Sequence, residues 1–128
     1  MRVETIDNQK FILLEKETAF SLGYRITINK GFDFDGASIP KPLWSIIGSP
    51  FTGNYVRAAL FHDGLYACCT LDRKLSDEIF LDLMKEDGVG YFKRYSMYLA
   101  VRAFGSRAYN SNQEDIPVYK EIVEITTI

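Results

Sequence analysis

His62 is the only histidine in the chain, and Asp63 follows it directly. An imidazole can act as a base near neutral pH when a carboxylate holds its other nitrogen, and a neighbouring Asp can ligate a hard cation. If residues 54 to about 70 are helical, Tyr66 shares the His62 face at i+4, while Asp63 points about 100° away. The two members of the dyad then need separate partners. The following helix offers a carboxylate, Asp77, which falls inside the apolar stripe of Phe80, Leu81 and Met84. An inward-facing Asp needs a donor or a cation, and His62, Tyr66 and Arg73 are the candidates. Two plainer readings stand beside this one. Asp77 can be a first-turn acid favoured by the helix dipole, and His62 a satisfied structural histidine.

Asp33 and Asp35, in the run Phe32-Asp33-Phe34-Asp35-Gly36, are a second candidate. Closely spaced carboxylates before a glycine turn can supply oxygen ligands to Ca²⁺ or Mg²⁺. The loop lacks the further ligands of an EF-hand, and an Asp35-Gly36 turn explains it as well. Cys68 and Cys69 are adjacent and have no second pair, which argues against a zinc site and against a disulfide and for core residues. Lys93, Arg94, Arg102 and Arg107 interleave with Tyr91, Phe92, Tyr95 and Tyr98. That pattern is either a binding patch or a solvated helix face packed by aromatic residues.

The elements that must position these residues follow from the pattern. Phe11–Leu14 and Tyr24–Ile28 are rich in β-formers and read as strands, with turns at Asp7-Asn8 and Gly23. Gly31–Gly36 is a third extended piece whose Phe face is expected to be buried. Pro42 opens a short helix through Leu43–Ile47, ended by Gly48-Ser49-Pro50. Asn54 is expected to cap the helix to about residue 70, which is apolar nearly all round and so central. After a Leu71–Lys74 turn, Ser76 is expected to cap a helix to Glu86-Asp87, stopped by Gly88, with Glu78, Asp82, Lys85 and Glu86 outward. A third helix spans about 90 to 104. A polar loop, Asn110–Asp115, then leads to a tail, Ile116–Ile128, with β-like alternation. The expected fold is α+β: a small N-terminal antiparallel sheet, a three-helix cluster and a C-terminal extended tail or edge strand, all in one domain over residues 1–128.

Composition agrees with a globular domain, at 47% hydrophobic and 25% charged residues. The first residues carry no signal-peptide core, and no run approaches the ~18 apolar residues of a membrane span, so a reducing cytoplasm is the expected location. A net charge of −2 provides no global field for nucleic acid or an anionic membrane, though a local patch stays open.

The motifs D-G-A-S-I-P (35–40), Trp44, G-S-P-F-x-G (48–53), H-D-G-L-Y (62–66), Arg73, D-x-x-F (77–80) and G-S-R-A-Y (105–109) together resemble a family of small phage and prophage proteins known as a domain of unknown function. That resemblance implies a phage origin, a host-cytoplasmic or virion location, and a virion or host protein as partner. A partial likeness to phospholipases of the A2 type rests on H-D-x-x-Y and a following helical Asp. It implies that His62 activates a water, Asp63 holds Ca²⁺ and Asp77 orients His62. Asp35, from the Phe32–Gly36 run, is the further candidate ligand for Ca²⁺ or another divalent metal, and Tyr66 is the neighbour on the His62 face. The disulfide framework and glycine-rich calcium loop of those enzymes are missing here. Two functions therefore compete: a metal-assisted hydrolase of lipid or other esters, and a non-catalytic structural or host-interaction protein in which the same residues form a buried network. A catalytic His62 is expected to face a cleft, and a structural one to be sealed.

Overall fold

A computed structural model describes residues 1–7, 10–34, 55–111 and 116–128. The architecture is α+β, with antiparallel strands first, helices after, and a C-terminal edge strand. The expected short helix at 43–47, the Asp35-Gly36 turn and most of the Asn110–Asp115 loop lie outside the described residues, and the central helix is capped at Tyr55, with no side-chain cap bond, not at the expected Asn54.

Two three-stranded sheets replace the single expected one. The first has the order β1 (Val3–Asp7), β2 (Lys10–Leu13), β5 (Asp33–Phe34), and the second has the order β3 (Glu17–Ser21), β4 (Tyr24–Ile28), β6 (Val123–Thr127). All pairings are antiparallel. The β3–β4 connection is the two-residue turn Leu22-Gly23, in which both residues have positive φ, 49° and 85°. Paired left-handed residues match the twist of a tight hairpin, and glycine at the second position lowers the cost. Period-2 alternation then turns Ala19, Ser21, Ile26 and Ile28 inward, all buried. Phe32 and Phe34 are also buried, as their alternation with Asp predicts.

Five helices are described: α1 (Val56–Cys68), α2 (Arg73–Glu86), α3 (Tyr91–Phe104), α4 (Ser106–Ser111) and α5 (Ile116–Ile122). Helix α1 is the central one, buried on nearly every side. It ends where Cys69 adopts a left-handed conformation, φ 51°, and returns its N–H to the Leu65 carbonyl. Gly64 lets this helix lie close to the second sheet, because a Cβ there would stand 2.7 Å from Ile28 Cδ1.

Helix α2 begins four residues before the expected start. Asp72, not Ser76, is the cap: its side chain accepts from Leu75 N at 2.7 Å, and Ser76 donates to the Asp72 carbonyl within the first turn. Asp77 consequently sits in the second turn, which removes the first-turn dipole explanation for it. Asp82, expected to face outward, instead accepts from Ser21 Oγ at 2.6 Å and ties α2 to β3. The tail also differs from expectation. Residues 116–122 wind into α5, with Pro117 tolerated in its first turn, and only Val123–Thr127 extends to complete the second sheet against β4. Alternation alone does not say where a strand finds its partner. Among the described residues, no helix is long and apolar enough to cross a membrane.

Candidate functional site

Three helices deliver their polar side chains to one point. The geometry starts from Asp77 on α2, which is fully buried. Its Oδ1 accepts from His62 Nε2 at 2.7 Å and from the Tyr66 hydroxyl at 2.6 Å, both on α1. Its Oδ2 accepts from Arg102 of α3 at 2.9 Å, with the Arg73 guanidinium 3.7 Å away. Arg73 also donates to the Val101 and Arg102 carbonyls, so it closes the C-terminal end of α3 while facing the same carboxylate.

The i, i+4 spacing stacks His62 and Tyr66 on one helix face, with ring centroids 4.2 Å apart, and Phe80 of α2 covers the imidazole from 4.5 Å. The ring is 1% exposed. Tyr109 of α4 packs edge-on to Tyr66 and donates to the Leu71 carbonyl at 2.9 Å. Gly105, between α3 and α4, leaves room for the Tyr66 hydroxyl, since a Cβ there would lie 2.5 Å from it.

The electrostatics are mutually consistent. Burial lowers the His62 pKa from its ordinary 6.5 and outweighs the raising pull of Asp77, so the imidazole is neutral at pH 7. Burial alone would raise the Asp77 carboxyl, but the hydrogen bonds from His62, Tyr66 and Arg102 prevail and hold it below the usual carboxylate range. Burial, followed by the bond to Asp77, pushes the Tyr66 hydroxyl far above its ordinary value. The arrangement is therefore an ionised carboxylate receiving Nε2–H from a neutral histidine, which leaves the ring's lone pair on Nδ1. Such a histidine can take a proton at Nδ1. It can equally serve as a neutral donor that compensates a buried charge.

The structure brings together His62, Tyr66, Asp77 and Arg73 of the residues singled out by sequence. Asp63 is half-buried next to the cluster in sequence, on a different helix face from His62. Asp33 pairs with Ile12 in the first sheet, and Asp35 lies outside the described residues. Among the described residues, no group of three or more His, Cys, Asp or Glu side chains could hold a metal ion. Cys68 and Cys69 form no disulfide; Cys68 is buried, and the Cys69 thiol donates to the Tyr66 and Tyr109 carbonyls. Arg102, which the sequence groups with Lys93, Arg94 and Arg107 as either a binding patch or a solvated helix face, turns to Asp77. The signal for it was the buried carboxylate itself, which demands a cation, but spacing does not say from which helix.

Comparison with known proteins gives relatives without assigned activity. The chain is 39% identical over 106 residues to the uncharacterized protein y4jT of Sinorhizobium fredii, covering 78% of this chain and 31% of that protein. It is 38% identical over 79 residues to y4iH of the same organism, covering 62% of this chain and 33% of that protein. The chain thus spans about a third of the length of these relatives. No solved structure matches it. The family model described as a protein of unknown function, DUF1353, matches residues 12–101, and the chain belongs to that family.

Proposed function

We propose that this chain is an ester hydrolase of phage or prophage origin in which His62 is the general base. The observation that carries the reading is the sharing of Asp77 Oδ1 between His62 Nε2 and the Tyr66 hydroxyl. This contact selects the tautomer with its lone pair on Nδ1 and supplies a carboxylate to stabilise the imidazolium that forms on proton uptake. Nδ1 takes a proton from a water, the water oxygen attacks the ester carbonyl carbon, and the C–O bond to the alcohol breaks. The leaving alkoxide takes the proton back from Nδ1, so one water converts one ester into an acid and an alcohol. The ring is 1% exposed, so this reading requires an opening of the cover over His62 that admits both the water and the ester. Asp77 and Tyr66 orient it, and Arg102 and Arg73 balance the carboxylate charge.

A divalent metal such as Ca²⁺, held by Asp63 and Asp35, belongs to the same proposal and would polarise the ester carbonyl. The described residues do not form a ligand set for it.

The sealing of His62 favours a second reading: a virion, tail-associated or host-interaction protein in which His62, Tyr66, Asp77 and Arg102 pin three helices together without catalysis.

His62→Gln separates the two. The glutamine amide retains a donor for Asp77 but has no basic nitrogen. In assays with short-chain p-nitrophenyl esters and phospholipid vesicles, the hydrolase reading expects a rate loss on the order of 10²–10⁴ with the fold intact. An inactive parent protein, with a lowered melting temperature in the variant, supports the network reading. Calorimetric titration with Ca²⁺, Mg²⁺, Mn²⁺ and Zn²⁺, repeated on Asp63→Asn, tests the metal. Saturable binding abolished by the substitution supports it, and binding of none removes it.

A further inference from the structure

Among the described residues, the outer face of α3 carries several large apolar side chains in solvent. Phe92 is 74% exposed, Tyr91 70% and Leu99 62%. Phe92, Tyr95 and Leu99 recur at i, i+3 and i+7 and so form one stripe along the helix, while Met97, Ala100 and Val101 point the opposite way into the core. Exposed apolar residues scattered singly need no explanation, but a contiguous aromatic and aliphatic stripe calls for something to cover it.

Charge narrows the choice of cover. Between Gly88 and Ser111 the sequence has four cations, Lys93, Arg94, Arg102 and Arg107, and no acidic residue. The whole chain carries −2, so the remainder carries −6. Arg102 is committed to Asp77, whereas Lys93 and Arg107 are exposed. Arg94 lies over the rings of Tyr91 and Tyr95, at 5.3 and 5.6 Å from their centroids, which places a cation within the aromatic cluster. A second copy of the chain is a poor cover, because self-pairing of this face would set the same cations against each other. Arg94 flanks the stripe, exposed Lys93 lies in the first turn of α3 and exposed Arg107 in α4 just past its end. Aromatic and aliphatic side chains bracketed by cations have the composition of an element that lies in the plane of a lipid headgroup layer.

We infer that the outer face of α3, with the start of α4, docks on an anionic phospholipid bilayer, with Phe92, Tyr95 and Leu99 entering the headgroup–acyl boundary and Lys93 and Arg94 of α3 and Arg107 of α4 reaching the anionic headgroups. The inference rests on exposure and charge and does not depend on the hydrolase reading. Its readout is binding, so the two stand or fall separately.

The test is co-sedimentation of the full chain with vesicles of phosphatidylglycerol and phosphatidylcholine, and with pure phosphatidylcholine. Binding to the anionic vesicles is expected, weakened by salt. Loss of binding is expected in Phe92→Ser/Leu99→Ser, whose circular dichroism and melting temperature should match the parent because both side chains are exposed. Lys93→Gln and Arg107→Gln should each lower partitioning roughly fivefold. Absence of binding to anionic vesicles, or equal binding by the Phe92→Ser/Leu99→Ser variant, overturns the inference. So does a concentration-dependent dimer abolished by that variant, which would assign the face to a second copy.

Discussion

Asp77 Oδ1 meets His62 Nε2 at 2.7 Å across fifteen residues of sequence, with the carboxylate fully buried and the imidazole 1% exposed. Removing one partner therefore strands the other. Asp77→Ala is expected to destabilise the fold by about 3–5 kcal/mol, the cost of leaving buried donors and a cation uncompensated. Urea unfolding of Asp77→Ala, His62→Ala and the double variant should show non-additivity of roughly 0.5–3 kcal/mol. Strict additivity would mean that the two side chains do not act as a pair in solution.

The depressed His62 pKa sets a pH dependence with a definite sign. In the window below the ordinary value of 6.5 and above the folded value, the unfolded chain binds a proton that the folded chain does not. The stability associated with neutral His62 is thus fully present above pH 6.5 and is lost as pH falls, with a slope of up to about 1.4 kcal/mol per pH unit. Asp77, also depressed, adds its own loss only below its ordinary 3.8. Thermal melts from pH 8 to 4 should fall from pH 6.5 downward in the parent, and the slope in the upper part of that window should flatten in His62→Gln. A slope unchanged by the substitution would assign the dependence to other groups.

Tyr66→Phe removes a hydroxyl that donates to Asp77 at 2.6 Å and leaves the ring packing in place. A loss of roughly 1.5–3 kcal/mol is expected, the range for a hydrogen bond to a charged group. Chemical denaturation reads it, and a change under ~0.5 kcal/mol would show that the hydroxyl is not a supporting donor.

Gly105→Ala places a methyl group against the Val101 carbonyl and 2.5 Å from the Tyr66 hydroxyl. The backbone at the α3–α4 junction cannot move aside as a flexible side chain would, so the variant should lose roughly 1–3 kcal/mol. If the hydrolase reading holds, it should also lose rate, because Tyr66 is displaced from Asp77. A fully stable variant would mean that the junction relaxes without cost.

The Ser21–Asp82 contact makes a prediction at the sheet–helix seam. Ser21 is buried and donates to Asp82 at 2.6 Å, so Ser21→Ala removes a donor from a half-buried carboxylate. A lowered melting temperature is expected in the alanine variant and near-recovery in Ser21→Thr, whose hydroxyl can reach the same oxygen. Equal melting of all three proteins would show the contact to be inert.

Local patterns in the sequence determined much of this protein. The alternation in Tyr24–Ile28, the burial of Phe32 and Phe34, the all-round apolarity of Val56–Cys68 and the i+4 pairing of His62 with Tyr66 each depend on residues a few positions apart. An Asp within an apolar helical stripe was enough to mark Asp77 as inward-facing. Asp72 and Ser76 are both good caps, so the sequence does not choose the start of α2 and the backbone geometry does. Tertiary structure alone decided that Arg102, twenty-five residues beyond Asp77, leaves the α3 surface to neutralise it, and that Val123–Thr127 returns across the helices to pair with β4. Helical and strand periodicity encode which way a side chain points, whereas charge compensation and strand pairing between distant segments are set by how the faces stack in three dimensions.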